Sequence, residues 1–399
     1  MVSPRQRFHF HRHRRCEYEF RLSEVRHLNH ESAESRYIEI LSRLLISANC
    51  HQAAQDNPQL LPKAREDVTD FLAALNASEL NGFVSLANTN HVIVRALSLI
   101  RKLAEEQGDM ALADRCISPL AAERSRISTA LEFLENICTT FQSHGCPAVV
   151  IKSLDHWPDL GSDLDLCTVA DERQIEKIMR QEFKAHPVEK SWGDRLANKW
   201  NYNVPGLPEL VEIHVQCLGQ TGEHSQLAHR VLDRAVPKTI EDRTFQVAAP
   251  EERIMISTLQ RVYRHFYFRL CDMIDTMFLL RTGKVDFEEL KTASCSAGIW
   301  PGVATFLYLV RNYLRFFGGD LSLRENLIPS TFSSNTNVRF ENSFLRVPKS
   351  VGMSLYASQL LQAGSRGDVR SLLRLPLLPP LAISAWVKHE LVGNDKGIW

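Results

Sequence analysis

Apolar positions between residues 36 and 143 recur at helical spacing, and after Pro147 the rhythm changes to alternation. Tyr37, Ile40, Leu41, Leu44 and Leu45 make one stripe, and Ile127, Leu131, Leu134, Cys138 and Phe141 make another. Residues three and four apart share a helix face, so both stripes predict helices packed on a core. Gly145 follows the second stripe where a helix commonly ends in a left-handed residue. A run from 147 to 152 then reads as a strand, and a second strand covers 163–170. Asp171 is placed to cap a helix whose Ile175, Ile178 and Met179 face inward. Further strands are predicted near 186–191, 198–204 and 209–217. After Pro250 one long helix is expected to about Leu280, and another over 302–317 ends at Gly318-Gly319. Arg339 to Val347 is expected to pair as a strand, and the Leu/Pro-rich segment 371–387 to pack on the body. The expected fold is α/β, mixed α+β: a small mixed sheet flanked by helical regions on either side.

On that frame the chain divides into five stretches. Residues 1–35 are basic and His-rich, with Arg5, Arg7, Arg12, Arg14 and Arg15 among His9, His11 and His13, and no apolar period. They read as a disordered tail. A helical region is expected over 36–143, the mixed-sheet core over 144–248, a helical region lining its cleft over 249–320, and an extension packed on the body over 321–399. No internal repeat appears.

Two strands carry candidate chemistry. On the second, Asp163 and Asp165 are two residues apart, so they project together while Leu164 and Leu166 bury the other face. The convergent carboxylates repel, and a hard cation such as Mg²⁺ would relieve that repulsion. The alternative is a solvated turn, because Asp-x-Asp is common. On the last strand Val211, Ile213, Val215 and Cys217 form one face, and Leu210, Glu212, His214 and Gln216 the other. If that strand lies beside the first in one sheet, Glu212 completes a three-carboxylate site; otherwise it is an incidental strand acid. Arg195, Lys199, Trp200 and Tyr202 form a basic and aromatic cluster suited to a base or phosphate, or to core rings with solvated basic tips. On the long helix expected after Pro250, Arg261, His265, Arg269 and Asp272 would make one continuous stripe, either solvated or facing the cleft.

Taken as a set, these segments resemble the DNA polymerase β-like nucleotidyltransferase superfamily. More narrowly they resemble the poorly characterised bacterial nucleotidyltransferases with K-G, s-D-h-D and E-h-H motifs, here Val149-Val150-Ile151-Lys152-Ser153, Ser162-Asp163-Leu164-Asp165 and Val211-Glu212-Ile213-His214. Ala249-Pro250-Glu251 and the run from Tyr263 to Asp272 extend the likeness, which covers roughly residues 125–320. The resemblance implies that Asp163, Asp165 and Glu212 bind two Mg²⁺ ions that meet the triphosphate of an NTP, and that Glu212 also serves as the base. It implies that Lys152, Ser153 and Ser162 form the phosphate turn, with Lys199, His265 and Arg269 as further contacts. Ser153 departs from the pattern, because the relatives carry Gly there. The implied reaction moves an NMP from the NTP to a hydroxyl of a small molecule, protein or RNA and releases pyrophosphate. A D-x-D nucleotide-sugar glycosyltransferase is a competitor, though no Rossmann-like run of βα units precedes the motif. A non-catalytic descendant that binds a nucleotide or partner is another.

Composition adjusts this little. The 399 residues include 47 Lys plus Arg and 47 Asp plus Glu, so global charge points to neither nucleic acid nor membrane. Nine cysteines without Cys-x-x-Cys spacing suggest reduced thiols and a cytoplasmic setting. No secretory h-region and no uncharged apolar run of spanning length is seen, so no membrane span is expected. The stretch from Val303 to Phe317 comes nearest but carries Arg311 and Arg315.

Overall fold

The computed structural model describes residues 33–47, 68–220, 222–319, 321 and 337–380. Residues 1–32 of the expected basic tail and 381–387 of the expected packing segment lie outside the described residues, and 33–35 of that tail open the first helix instead.

Among the described residues the sheet is preceded by α1 (Ala33–Ser47), α2 (Ala77–Thr89), α3 (Ile93–Gln107) and α4 (Met110–Ser143), with a helical stretch also at 68–73. α1 and α4 turn their predicted stripes inward, burying Leu41, Leu45, Leu131, Leu134 and Phe141, and α3 buries Leu97 and Ile100. Asn76 and Glu79 close α2 with a reciprocal capping box, and Asp109 accepts from Leu112 N at the start of α4. Gly145 lies just past the end of α4 with φ +70°, the left-handed stop expected of it.

The sheet has seven strands: β1 (Val149–Val150), β2 (Asp163–Thr168), β3 (His186–Pro187), β4 (Lys199–Asn203), β5 (Leu210–Val215), β6 (Val236–Ile240) and β7 (Arg243–Val247). Their spatial order is β3-β4-β5-β2-β1-β7-β6. β2 runs parallel to β5 and antiparallel to β1; β1 runs parallel to β7. The sheet is therefore mixed, and the protein is an α+β fold. Between β2 and β3 lies α5 (Glu172–Glu182), capped by Asp171, whose carboxylate accepts from Arg173 N and Gln174 N. Helix α4 packs on both α5 and β7, fixing the leading helices to the sheet. The short α6 (Trp192–Leu196) precedes β4, and α7 (Ser225–Asp233) packs on β2.

The β6–β7 hairpin escaped the sequence reading. Its Glu241-Asp242 turn lacks the Gly or Asn that advertises a two-residue hairpin, although Glu241 does take a positive φ of 53°.

The single helix expected from Pro250 to Leu280 does not form. α8 spans Pro250–Thr258, widens into a π-helix over Leu259–His265, and stops at Phe266, whose φ is +56°. Tyr267–Phe268 then forms β8, and α9 spans Leu270–Arg281. α10 (Phe287–Ala297), α11 (Trp300–Phe316), β9 (Arg339–Glu341), β10 (Phe344–Arg346), α12 (Lys349–Ser365) and α13 (Val369–Arg374) complete the described elements. β8, β10 and β9 make a second, three-stranded sheet, so the strand predicted after Arg339 is a hairpin that recruits β8.

A single apolar cluster runs from Tyr37 on α1 through the sheet to Leu355 on α12. The part of 371–387 that is described does not join it. Leu375 and Leu378 pack instead with Ala363 in a small separate cluster against α12. Among the described residues, no helix is long and apolar enough to cross a membrane.

Candidate functional site

The site is built where β1 ends and β2 begins. After Val150 the chain must leave the sheet at once, and it does so through a γ-turn centred on Lys152. The Ser153 amide donates to Ile151 O at 2.7 Å, and Lys152 takes φ 64°, ψ −60°. That backbone region is strained for a residue with a Cβ and costs about 1–3 kcal/mol. The strain is held by contacts on both sides. Ile151 N donates to Asp165 O at 2.9 Å, and Asp165 N donates to Ser153 Oγ at 2.7 Å. The turn thereby aims the Lys152 ammonium across the strand ends.

Parallel pairing of β2 with β5 sets Asp165 opposite Glu212 and Cys167 opposite His214. Leu164, Leu166, Ile213 and Val215 fill the opposite face, as their alternation predicts. Glu212 and His214 on the polar face of β5 are buried too, with the Lys152 and Lys199 side chains set against Glu212. Lys152 Nζ pairs with Asp165 Oδ1 and lies 3.3 Å from Glu212 Oε1. Lys199 Nζ reaches Glu212 Oε2 at 2.7 Å and Asp194 Oδ1 at 3.0 Å. His214 Nε2 meets Glu212 Oε1 at 2.8 Å. Asp163, half-buried at the mouth, is bonded by the Ser162 hydroxyl at 3.3 Å.

Electrostatics follow from this packing. Burial pushes the Glu212 carboxyl up, but the ammoniums of Lys152 and Lys199 and the His214 hydrogen bond outweigh it and hold it well below the usual range. Asp165 goes the other way. Burial and the charges of Glu212 and Asp163 raise it despite Lys152. Burial and then the Glu212 charge raise Asp163 as well. His214 is driven down to about 4 by burial and the adjacent lysines, against the pull of Glu212, so it is neutral near pH 7. Three carboxylates thus face two ammoniums, and Lys199 is shared with Asp194.

This arrangement bears on a divalent cation in two ways. Asp165, Glu212 and His214 present donor atoms within 4.8 Å of one another. Carboxylate oxygens that close together fit Mg²⁺. The Lys152 ammonium, however, already stands between Asp165 and Glu212, so ion and ammonium compete for the same oxygens.

The remaining predicted residues are placed unevenly. The Ser153 side chain is buried against β2, with Oγ also 3.1 Å from Asp163 O, and its amide is spent in the γ-turn. It braces the aspartate strand rather than presenting a donor to the cleft. His265 ends the π-helix beside Tyr267; burial and the charges of Arg264, Arg261, Arg269 and Lys152 hold its pKa well below the usual value. Arg269 caps α9, its amide donating to Asp272 Oδ2 at 2.7 Å, while its guanidinium lies 5.7 Å from the Phe344 ring. The continuous stripe of Arg261, His265, Arg269 and Asp272 is dissolved by the break at Phe266. Arg261 and Asp272 meet instead as a buried ion pair at 2.7 Å. In the basic and aromatic cluster Tyr202 is core, Trp200 stacks on it under the Lys190 ammonium, and Arg195 is exposed; only Lys199 turns to the carboxylates. His214 and Asp194 were missed as site residues. His214 had a signal, since it sits two positions from Glu212 on one strand face; Asp194 had none.

A pocket opens from Lys152 between the turn and the two helices α8 and α9, with Asp155, Arg253, Gln260 and Thr276 on its walls. Arg253 is tied to Asp155 at 2.7 Å.

No protein-family model matches the sequence, and no curated protein is similar to it. Among solved structures, the chain is similar to an antigenic nucleotidyltransferase-like protein from Paracoccidioides brasiliensis. The TM-score is 0.32 at 14% identity, over 49% of this chain and 95% of that one, a likeness too loose to rest a function on.

Proposed function

We propose that the protein is a nucleotidyltransferase that moves an NMP from an NTP to a hydroxyl-bearing acceptor, with Asp163, Asp165 and Glu212 as its acidic centre. The observation that carries this reading is the register of β2 on β5, which sets Asp165 opposite Glu212 where both reach one ammonium. Asp163, Asp165 and Glu212 would hold Mg²⁺, which supplies positive charge to the triphosphate and the departing pyrophosphate. Lys152 adds a cation on the pocket wall, suited to meet a phosphate once the carboxylates have another partner. Glu212 stays ionised between the two lysines, which suits a cation ligand but makes it a weak base toward the acceptor's proton.

The same lysine supports a second reading, in which the scaffold binds a nucleotide or partner without turnover because Lys152 fills the cation's place. The glycosyltransferase alternative has lost support, since the sheet is mixed rather than doubly wound.

Both readings meet in one experiment. The full chain is incubated with each NTP, Mg²⁺ and a broad acceptor screen, and pyrophosphate release is followed. The transfer reading expects release that falls at least 100-fold in Asp165→Asn, in line with losing about 3 kcal/mol of transition-state charge stabilisation. Equal release from wild type and Asp165→Asn would sink it. NTP binding with no release from any acceptor would select the second reading.

A further inference from the structure

Behind the γ-turn lies a second group of chemistry-bearing side chains that the nucleotide reading does not use. His91 sits in the corner between α2 and α3, His156 closes the 3₁₀ turn Ser153–His156, and Cys271 lies in the first turn of α9. All three are buried. One nitrogen from each imidazole and the Cys271 sulfur lie within 4.8 Å of one another. Cys271 Sγ is 4.0 Å from His156 Nε2, and the two imidazole rings meet edge to face at 5.5 Å.

The surroundings of this cluster are ordered from outside. Nδ1 of His156 lies 2.5 Å from Asp275 Oδ2. Arg95 holds the other Asp275 oxygen at 2.6 Å, and is itself neutralised by Asp159 at 2.7 Å. His156 is therefore locked with Nε2 aimed at the sulfur. Nδ1 of His91 is buried with no hydrogen-bond partner among the described residues. Leaving such a nitrogen unsatisfied costs about 1–3 kcal/mol.

We infer that His91, His156 and Cys271 form a binding site for a borderline-soft transition-metal ion, Zn²⁺ foremost, with Asp275 as the residue that orients His156. Two imidazoles and a thiolate are the donor set Zn²⁺ favours, and Mg²⁺ does not. The Asp275–His156 contact reproduces the carboxylate–histidine arrangement that fixes the tautomer of a metal-bound imidazole. Burial raises the Cys271 thiol above its ordinary pKa despite His156 beside it, so an ion entering the cluster displaces the thiol proton as it binds. Bond lengths of about 2.1 Å to nitrogen and 2.3 Å to sulfur put tetrahedral donors about 3.6 Å apart. Closing the 4.0 Å gap needs only side-chain adjustment. With three protein ligands the fourth position is left to water or an incoming donor. The ion would also tie three separate segments, from the leading helices, the turn beside Lys152 and α9, into one joint. This site is chemically distinct from the Asp165, Glu212 and His214 group, so its presence does not depend on the nucleotidyltransferase reading.

The test is a Co²⁺ titration of the chelator-treated full-length chain, read by absorbance. We expect a thiolate-to-cobalt charge-transfer band and tetrahedral d–d bands that saturate at about one equivalent and disappear on adding Zn²⁺. Cys271→Ala should abolish the charge-transfer band, and Asp275→Asn should weaken Co²⁺ binding about 10–100-fold. If Cys271→Ala does not fold, His91→Gln gives the second reading, with the d–d bands weakened or lost. Absence of the charge-transfer band in the wild type, or its persistence in folded Cys271→Ala, would overturn the site. So would loss of the band in Glu212→Gln, which would assign the ion to the other group.

Discussion

Lys152 concentrates the physics of the site in one residue. Its backbone lies in a region that excludes most side chains, and its ammonium joins carboxylates on two strands. Glycine would relax the turn, but only lysine supplies the charge. Comparing Lys152→Ala with Lys152→Gly separates the two effects. Both remove the ammonium, yet only Gly adopts φ 64° freely, so Lys152→Gly should be about 1 kcal/mol more stable in urea unfolding. Equal stabilities would mean that the strain is not stored there. Both variants should also bind Mg²⁺ more tightly than wild type, because they remove the competing cation from Asp165 and Glu212.

At the scale of elements, the break between the π-helix and α9 decides which polar residues meet. Apolar periodicity cannot see that break. Arg261, His265 and Arg269 satisfy helical spacing as well as they satisfy the real path, and β10, which pairs with Tyr267–Phe268, lies far downstream in sequence. The break delivers Asp272 to Arg261 in the interior. Removing one partner of a buried pair strands the other, so Asp272→Ala should cost about 3–5 kcal/mol. Replacing both, as Arg261→Met with Asp272→Leu, should recover most of that loss. A loss under about 1 kcal/mol in the single variant, measured by urea denaturation, would show that the pair is not isolated from water.

For the molecule as a whole, the leading helices, both sheets and α11 share one apolar cluster, whereas α13 is held to α12 through the turn that follows it, where Leu375 and Leu378 pack on Ala363, Tyr356 and Leu360. Local opening is cheapest where the fewest apolar contacts must break. Native-state hydrogen exchange should therefore find the amides of α13 and the end of α12 opening well below the global unfolding free energy. Those of β2, β5 and α11 should exchange only with global unfolding. Uniform protection through α13 would refute this ordering.

Local pattern alone settled the helical stripes, the Asp171 cap, the Gly145 stop and the alternation of β2 and β5. Each of these depends on neighbours within a few residues, where 3.6- and 2-residue periods are explicit. The combination of helices and strands followed from the same periods, while the mixed character of the sheet came with the strand order. Tertiary structure decided everything that depends on which strand lies beside which: Asp165 opposite Glu212, Lys152 and Lys199 among the carboxylates, and Ser153 turned onto β2. It also decided the hairpin β6–β7, the break at Phe266 and the gathering of His91, His156 and Cys271 from three distant segments. Spacing along a chain encodes the face on which a side chain lies. It carries no information about the burial and the charge brought against that face from elsewhere, and here those two together shift Glu212, Asp163, Asp165 and His214.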